Sequence, residues 1–124
     1  MNTHESEEDY LERILMLEEK GKKAVHAIDI ATSMSFSKPS VSIALKKLED
    51  KGYVHINDHQ ELTLTEAGMN IASKIYERHQ VIGSFLISLG VDKGTAYSDA
   101  CKIEHDLSDK TFAALKKHYE EDKK

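Results

Sequence analysis

This sequence has little of what usually holds or anchors a small chain. It has one cysteine, Cys101, so no internal disulfide is possible, and the thiol is left as a buried small hydrophobe, a reactive group or a ligand. It has one proline, Pro39, and no Ser/Pro linker, low-complexity segment or internal repeat, so any division of the chain runs through a helix rather than a floppy connection. No apolar run reaches the roughly 18 residues that suggest a membrane span. The opening residues MNTHESEEDY are acidic and polar, unlike a secretory signal. The expectation is a cytoplasmic protein without a membrane partner. Positive charge is also scarce: 17 Lys and Arg against 22 Asp and Glu give a net charge of -5. Taken over the whole chain, that balance argues against a nucleic-acid partner, because phosphates are neutralised by clustered Lys and Arg.

What is present is helical periodicity. The 124 residues, 40% hydrophobic and 31% charged, amount to one domain's worth of chain or two small lobes. SEEDYLERILMLEEKG places Tyr10, Leu11, Ile14, Leu15 and Leu17 at helical spacing between an N-cap at Ser6 and a stop at Gly21. VHAIDIATSMS predicts a short second helix. FSKPSVSIALKKLEDKG predicts a third, with Val41, Leu45 and Leu48 as its buried stripe and Pro39 in its first turn, where a missing N–H is harmless. YVHINDHQELTLT reads as a hairpin of two short strands around a polar tip. A long helix then runs from Thr65 to Gly90, its first turn clouded by Gly68, and two shorter helices follow. The predicted fold is mainly α with a small β-hairpin wing: a winged helix-turn-helix over residues 1–70, then a helical domain over 71–124.

The acidic average hides an asymmetry. Glu5, Glu7, Glu8, Asp9 and Glu12 gather in the first helix and HYEEDKK at the far end, leaving the third helix relatively basic. In a helix-turn-helix the second helix of the motif enters the major groove by its N-terminal end. Here that end carries Ser37, Lys38, Pro39, Ser40 and Ser42. The serine hydroxyls suit base edges or phosphates, Pro39 a thymine methyl, and Lys38, Lys46 and Lys47 the phosphate backbone. Arginine is absent from this helix, so bidentate guanine readout is not expected and DNA shape carries more of the recognition. A solvated, N-capped Ser/Lys helix is the plain alternative, made less attractive by the complete order of helices and hairpin around it.

SDACKIEHDLS puts Cys101, Glu104 and His105 at i, i+3 and i+4, where a helix brings a thiol, a carboxylate and an imidazole to one side. A first-row divalent ion accepts such a mixture but needs further donors. Asp9 and Glu12, an i, i+3 carboxylate pair, and His79, which interrupts the long helix between Ile75 and Val81, are candidates. Each has a plainer reading: packing for the cysteine, a solvated surface for Glu-His, and helix-dipole preference for an acidic first turn.

These segments resemble the metal-dependent repressors typified by the diphtheria toxin repressor and the manganese transport regulator. The resemblance runs over nearly the whole chain and rests on EDYLERILMLEEKG, SKPSVSIALKKLEDKGYV, LTLTEAG, RHQVIGSFL and, above all, CKIEHDLS. It implies a homodimeric repressor of the short, two-domain type, binding a pseudo-palindromic double-stranded DNA operator when Fe(II) or Mn(II) is plentiful and controlling metal-uptake genes. Carried over by matching positions, the ligands would be Asp9, Glu12, His79, Cys101, Glu104 and His105. Iron-type members have Met at the position of Asp9 and Cys at that of Cys101, and manganese-type members have Asp and Glu, so the site looks hybrid. Gly83 and Tyr97 stand where an ancillary site of larger members has Glu and His. The thiolate leans the expectation toward iron, with Zn(II) and Co(II) as further ions accepted in vitro. The rival readings are a metal-independent winged-helix regulator and, more distantly, a small metalloenzyme, for which two small helical lobes leave little substrate cleft. The chain is not expected to be an enzyme.

Overall fold

A computed structural model describes residues 3–123, with side chains described from Glu7 to Glu121. The elements run α1 (Thr3–Glu19), α2 (Ala27–Met34), α3 (Lys38–Asp50), β1 (Val54–Ile56), β2 (Leu62–Leu64), α4 (Glu66–Ser88), α5 (Lys93–Ile103) and α6 (Asp109–Lys123). They form two compact units, one up to Lys74 and one from Ile75, with the division inside α4. Among the described residues no helix is long and apolar enough to cross a membrane.

The first unit is the predicted helix, helix, helix, hairpin order. Its start differs from expectation: α1 begins at Thr3, so Ser6 lies inside the helix rather than capping it, and the Ser6 side chain is outside those described. The Asp29 carboxylate accepts the His26 N–H at 2.8 Å, which fixes the entry to α2. Ser37 caps α3, its Oγ accepting the Ser40 N–H at 3.3 Å, and Pro39 sits in the first turn. The hairpin is antiparallel with Val54 opposite Leu64 and Ile56 opposite Leu62. At its tip Asn57 Oδ1 accepts the N–H groups of His59 and Glu61, both at 2.9 Å, a side chain doing the work of a turn. Leu11, Ile14, Ile30, Val41, Leu45, Leu48 and Val54, drawn from every one of these elements but β2, are buried as one apolar interior.

Gly68 has a clear reason to be where it is. A Cβ there would lie 1.9 Å from the Tyr53 carbonyl oxygen, so only glycine lets the first turn of α4 lie on the backbone ahead of β1. Thr65 secures the same corner, its hydroxyl donating to the Gly52 carbonyl at 2.6 Å and accepting the Gly68 N–H at 3.1 Å.

The second unit packs the later turns of α4 with α5 and α6 around Ile82, Ala100 and Phe112, backed by Val81, Leu86, Leu107 and Leu115. Asp92 caps α5 by accepting the Thr95 N–H at 3.0 Å, and Ser108 caps α6 by accepting the Thr111 N–H at 3.1 Å. The helix carrying Cys101 ends sooner than the spacing argument assumed. Ile103 is its last residue, Glu104 is its C-cap with helical dihedrals (φ -58°, ψ -29°), and His105 falls in the turn beyond.

Candidate metal centre and nucleic-acid interface

Three charged residues are buried among those described: Glu12 (4% exposed), Arg78 (4%) and Glu104 (0%). A carboxylate withdrawn from water is tolerated only where opposite charge or hydrogen bonds replace its hydration. Two of these three are sequence-predicted ligands.

Around Glu104 the replacement comes from imidazoles. Its Oε2 lies 3.0 Å from His79 Nδ1, brought by α4, and its Oε1 lies 3.5 Å from His105 Nε2, the next residue along the chain. Both imidazoles are shielded, with His105 at 2% and His79 at 13% side-chain exposure. Cys101 stands one turn earlier on α5, half-buried. His79, Glu104 and His105 are thus brought together within the second unit as predicted candidates, and the donor set of carboxylate, two imidazoles and a thiol one turn away suits a first-row divalent ion.

The first unit carries the other two candidates on α1. Glu12 is buried on α1, where the other buried positions among the described residues are Tyr10, Leu11, Ile14 and Leu15, and Asp9 is half-buried. Burial, and then the charge of Asp9 beside it, raises the Tyr10 hydroxyl above its ordinary range.

Arg78 is the residue that the sequence reading missed. Its Nη1 donates to the carbonyls of Glu104 at 2.9 Å and Leu107 at 2.6 Å. Its Nη2 donates to Asp109 at 2.6 Å, and the guanidinium carbon lies 5.2 Å from the centre of the Phe112 ring. One side chain therefore holds the carbonyl ends that α5 leaves behind and ties them to the start of α6. A signal was available: Arg78 shares a helical stripe with Ile75 and Ile82, both buried, so an arginine was placed on the apolar face.

On α3 the candidate DNA-reading side chains Ser37, Lys38, Pro39, Ser40, Ser42, Lys46 and Lys47 are all exposed. Three are already engaged. Ser37 Oγ donates to Ser40 Oγ at 2.8 Å, so these hydroxyls act as a pair. Lys46 Nζ lies 3.1 Å from Glu49 Oε1, and that contact, by hydrogen bond and charge, raises the lysine above its usual range. Ile43, not singled out in the sequence, is 61% exposed on the same helix.

Residues 2–62 match the family described as iron dependent repressor, N-terminal DNA binding domain. Residues 65–124 match iron dependent repressor, metal binding and dimerisation domain. An uncharacterised HTH-type transcriptional regulator of Methanocaldococcus jannaschii is 38% identical over 113 residues, 90% of each chain. The HTH-type transcriptional regulator MntR of Bacillus subtilis (strain 168) is 38% identical over 107 residues, 86% of this chain and 74% of that protein. The solved structure of the manganese regulator SloR is 34% identical with a TM-score of 0.79; 90% of this chain is covered, which is 52% of that one, so the present chain spans about half its length. Matched in both its halves, the chain belongs to the iron dependent repressor family, a family of metal-dependent, DNA-binding transcriptional repressors.

Proposed function

We propose that the chain is a cytoplasmic repressor that binds a pseudo-palindromic operator as a homodimer when Fe(II) or Mn(II) is plentiful, and so shuts off genes such as those for metal uptake. Residues 1–70 serve as the DNA-binding half and residues 71–124 as the metal-binding and dimerisation half. The observation that carries this reading is Glu104, wholly buried between two imidazoles. His79, Cys101, Glu104 and His105 are the ligands proposed from the second unit, and Asp9 and Glu12 the carboxylates proposed from α1. When bound, the ion supplies the positive charge that a cluster of buried acidic and polar donors needs. The protein's part is to hold the donors and to link their occupancy to DNA affinity. If the arrangement that ligates better is also the one that binds DNA, each form of binding raises the other by the same factor.

For self-association, the supporting feature is an apolar hollow of about 190 Å³ on the second unit lined by Phe85, Leu86, Leu89, Ile103 and Leu115 among others. Leu89 is 67% exposed. Isologous pairing over such a surface gives the two-fold symmetry that a palindromic operator mirrors. Iron is favoured over manganese by the soft thiol of Cys101, with Asp9, Glu12 and Glu104 as hard oxygens that Mn(II) also accepts. The description of SloR as a manganese regulator keeps that ion in view.

The deciding measurement is anaerobic titration of operator DNA with Fe(II), with Mn(II) and with chelator. Affinity is expected to rise with either ion and collapse in chelator. Equal affinity in all three conditions would establish the metal-independent winged-helix reading instead.

A further inference from the structure

The ring of Tyr97 occupies a place that only a glycine on the facing helix makes available. Tyr97 lies on α5, four residues before Cys101 and seven before Glu104, and so on the stripe that faces α4. Gly83 lies on α4 one turn after His79. A Cβ on Gly83 would fall 2.4 Å from Tyr97 Cε1 and 2.5 Å from Cδ1, far inside contact distance, so the ring fills the notch where a side chain would otherwise stand. Seated there, it lies beside the His79 imidazole with ring centres 5.2 Å apart and planes tilted by 31°. The same imidazole is held at its edge by Glu104, with Nδ1 3.0 Å from the carboxylate.

An imidazole has two side-chain torsions to fix. The Glu104 contact holds one edge of the ring, and the neighbouring Tyr97 ring limits its tilt. We infer that Tyr97, admitted by Gly83, is a positioning residue that fixes the plane of the His79 ring for metal binding; this rests on the proposed metal site. The ring, and not the hydroxyl, is assigned the positioning, because the atoms nearest Gly83 are ring carbons and it is the ring that neighbours the His79 imidazole. Outer-shell partners that orient a ligating histidine typically contribute about 10–100-fold in metal affinity.

The test uses the full chain and two readouts. Mn(II) alone is titrated by electron paramagnetic resonance of the free ion, and the His79 ring C–H signals of the metal-free protein, assigned with His79→Gln, are followed by NMR. Tyr97→Leu should weaken Mn(II) binding about tenfold or more and move the His79 signals, which lose the field of the neighbouring ring. Tyr97→Phe should leave both as in the wild type. Gly83→Ala should reproduce the Tyr97→Leu result from the opposite helix. If it unfolds, as circular dichroism would show, the Leu and Phe pair decides alone. Tyr97→Leu with wild-type Mn(II) affinity would overturn the inference while leaving the metal site intact, and so would His79 signals indifferent to the ring. Wild-type protein that takes up neither Mn(II) nor, titrated anaerobically, Fe(II) would remove the metal reading and this inference together.

Discussion

The two units of this chain are stabilised in different ways. The first has an interior of aliphatic side chains supplied by three helices and the hairpin, with Leu11, Ile14, Ile30, Leu45 and Leu48 all but inaccessible. The second has a thinner apolar centre of Ile82, Ala100 and Phe112. Beside that centre it buries Arg78 and Glu104, joined through the Glu104 carbonyl, where the first unit buries one charged side chain, Glu12, among its described residues. An aliphatic interior is indifferent to ions. A polar one changes its stability with what its charges meet, so a sensor is better built there.

The largest effect expected from this contrast is in the first unit. Leu45→Ala removes a buried side chain at the centre of α3 and should destabilise the protein by about 2–5 kcal/mol in chemical denaturation. Saturating Mn(II) should add the same increment to this variant as to the wild type. An increment that vanished would mean that the aliphatic interior is itself part of the sensing element.

Arg78→Met is the corresponding change in the second unit. It keeps a long apolar stem against Phe112 and deletes the donors to the carbonyls of Glu104 and Leu107. Hydrogen bonds of a charged group contribute about 1.5–3 kcal/mol in net stability, and a loss of that order is expected. Here the Mn(II) increment should shrink, because the turn that presents Glu104 and His105 is no longer held. A full increment would show that Arg78 supports the fold and leaves the donors unaffected.

That arginine also marks where the sequence stopped being legible. The order of six helices and a hairpin followed from apolar spacing and from Ser37, Pro39, Gly21, Gly52 and Gly90 as local punctuation, and those signals are confined to a few neighbouring residues. The end of α5 is decided otherwise. Its terminal carbonyls are taken by a guanidinium 26 residues earlier in sequence, the Arg78 bond to Glu104, and no local pattern reports a partner so distant. The candidate site divides the same way. Spacing placed Cys101 and Glu104 on one side of a helix, while the approach of His79 Nδ1 to Glu104 depends on how α4 and α5 pack. Gly83 was noticed through a resemblance, and its use as a notch for Tyr97 is visible only in three dimensions. Ile43 is a further case: an isoleucine on a helix reads as core from sequence alone, and only the fold shows it 61% exposed.

Ile43 sharpens the comparison on the DNA side. With Ser37 and Ser40 bonded to each other, the exposed methyls of Ile43 are suited to a thymine methyl. Ile43→Ala should lower operator affinity by about 1 kcal/mol and erase the difference between T and C at one position. Lys47→Ala should instead weaken all sequences alike and flatten the salt slope by about one. Lys46→Ala should flatten it less, since Lys46 is already paired with Glu49. Equal slopes for the two lysines would mean that the Glu49 pair opens on DNA without penalty.

The smallest effect concerns the start of α5, the helix that carries Tyr97 and Cys101. Asp92 accepts the Thr95 N–H at 3.0 Å, and that backbone hydrogen bond holds its carboxyl below the usual range. A carboxyl whose folded-state pKa is depressed binds protons more readily in the unfolded chain, so its contribution to stability is complete above the unfolded pKa and disappears as pH falls through the folded one. Asp92→Ala should therefore be slightly less stable than the wild type at neutral pH, with the gap closing only in strong acid, below the ordinary range for aspartate. Asp92→Asn, which can still accept the N–H, should fall between them at neutral pH and show no acid-dependent gap of its own. Melting curves for the three proteins across that range give the answer. A gap between wild type and Asp92→Ala that stayed constant into strong acid would show that the cap works through the shape of the side chain and that its charge is irrelevant to α5.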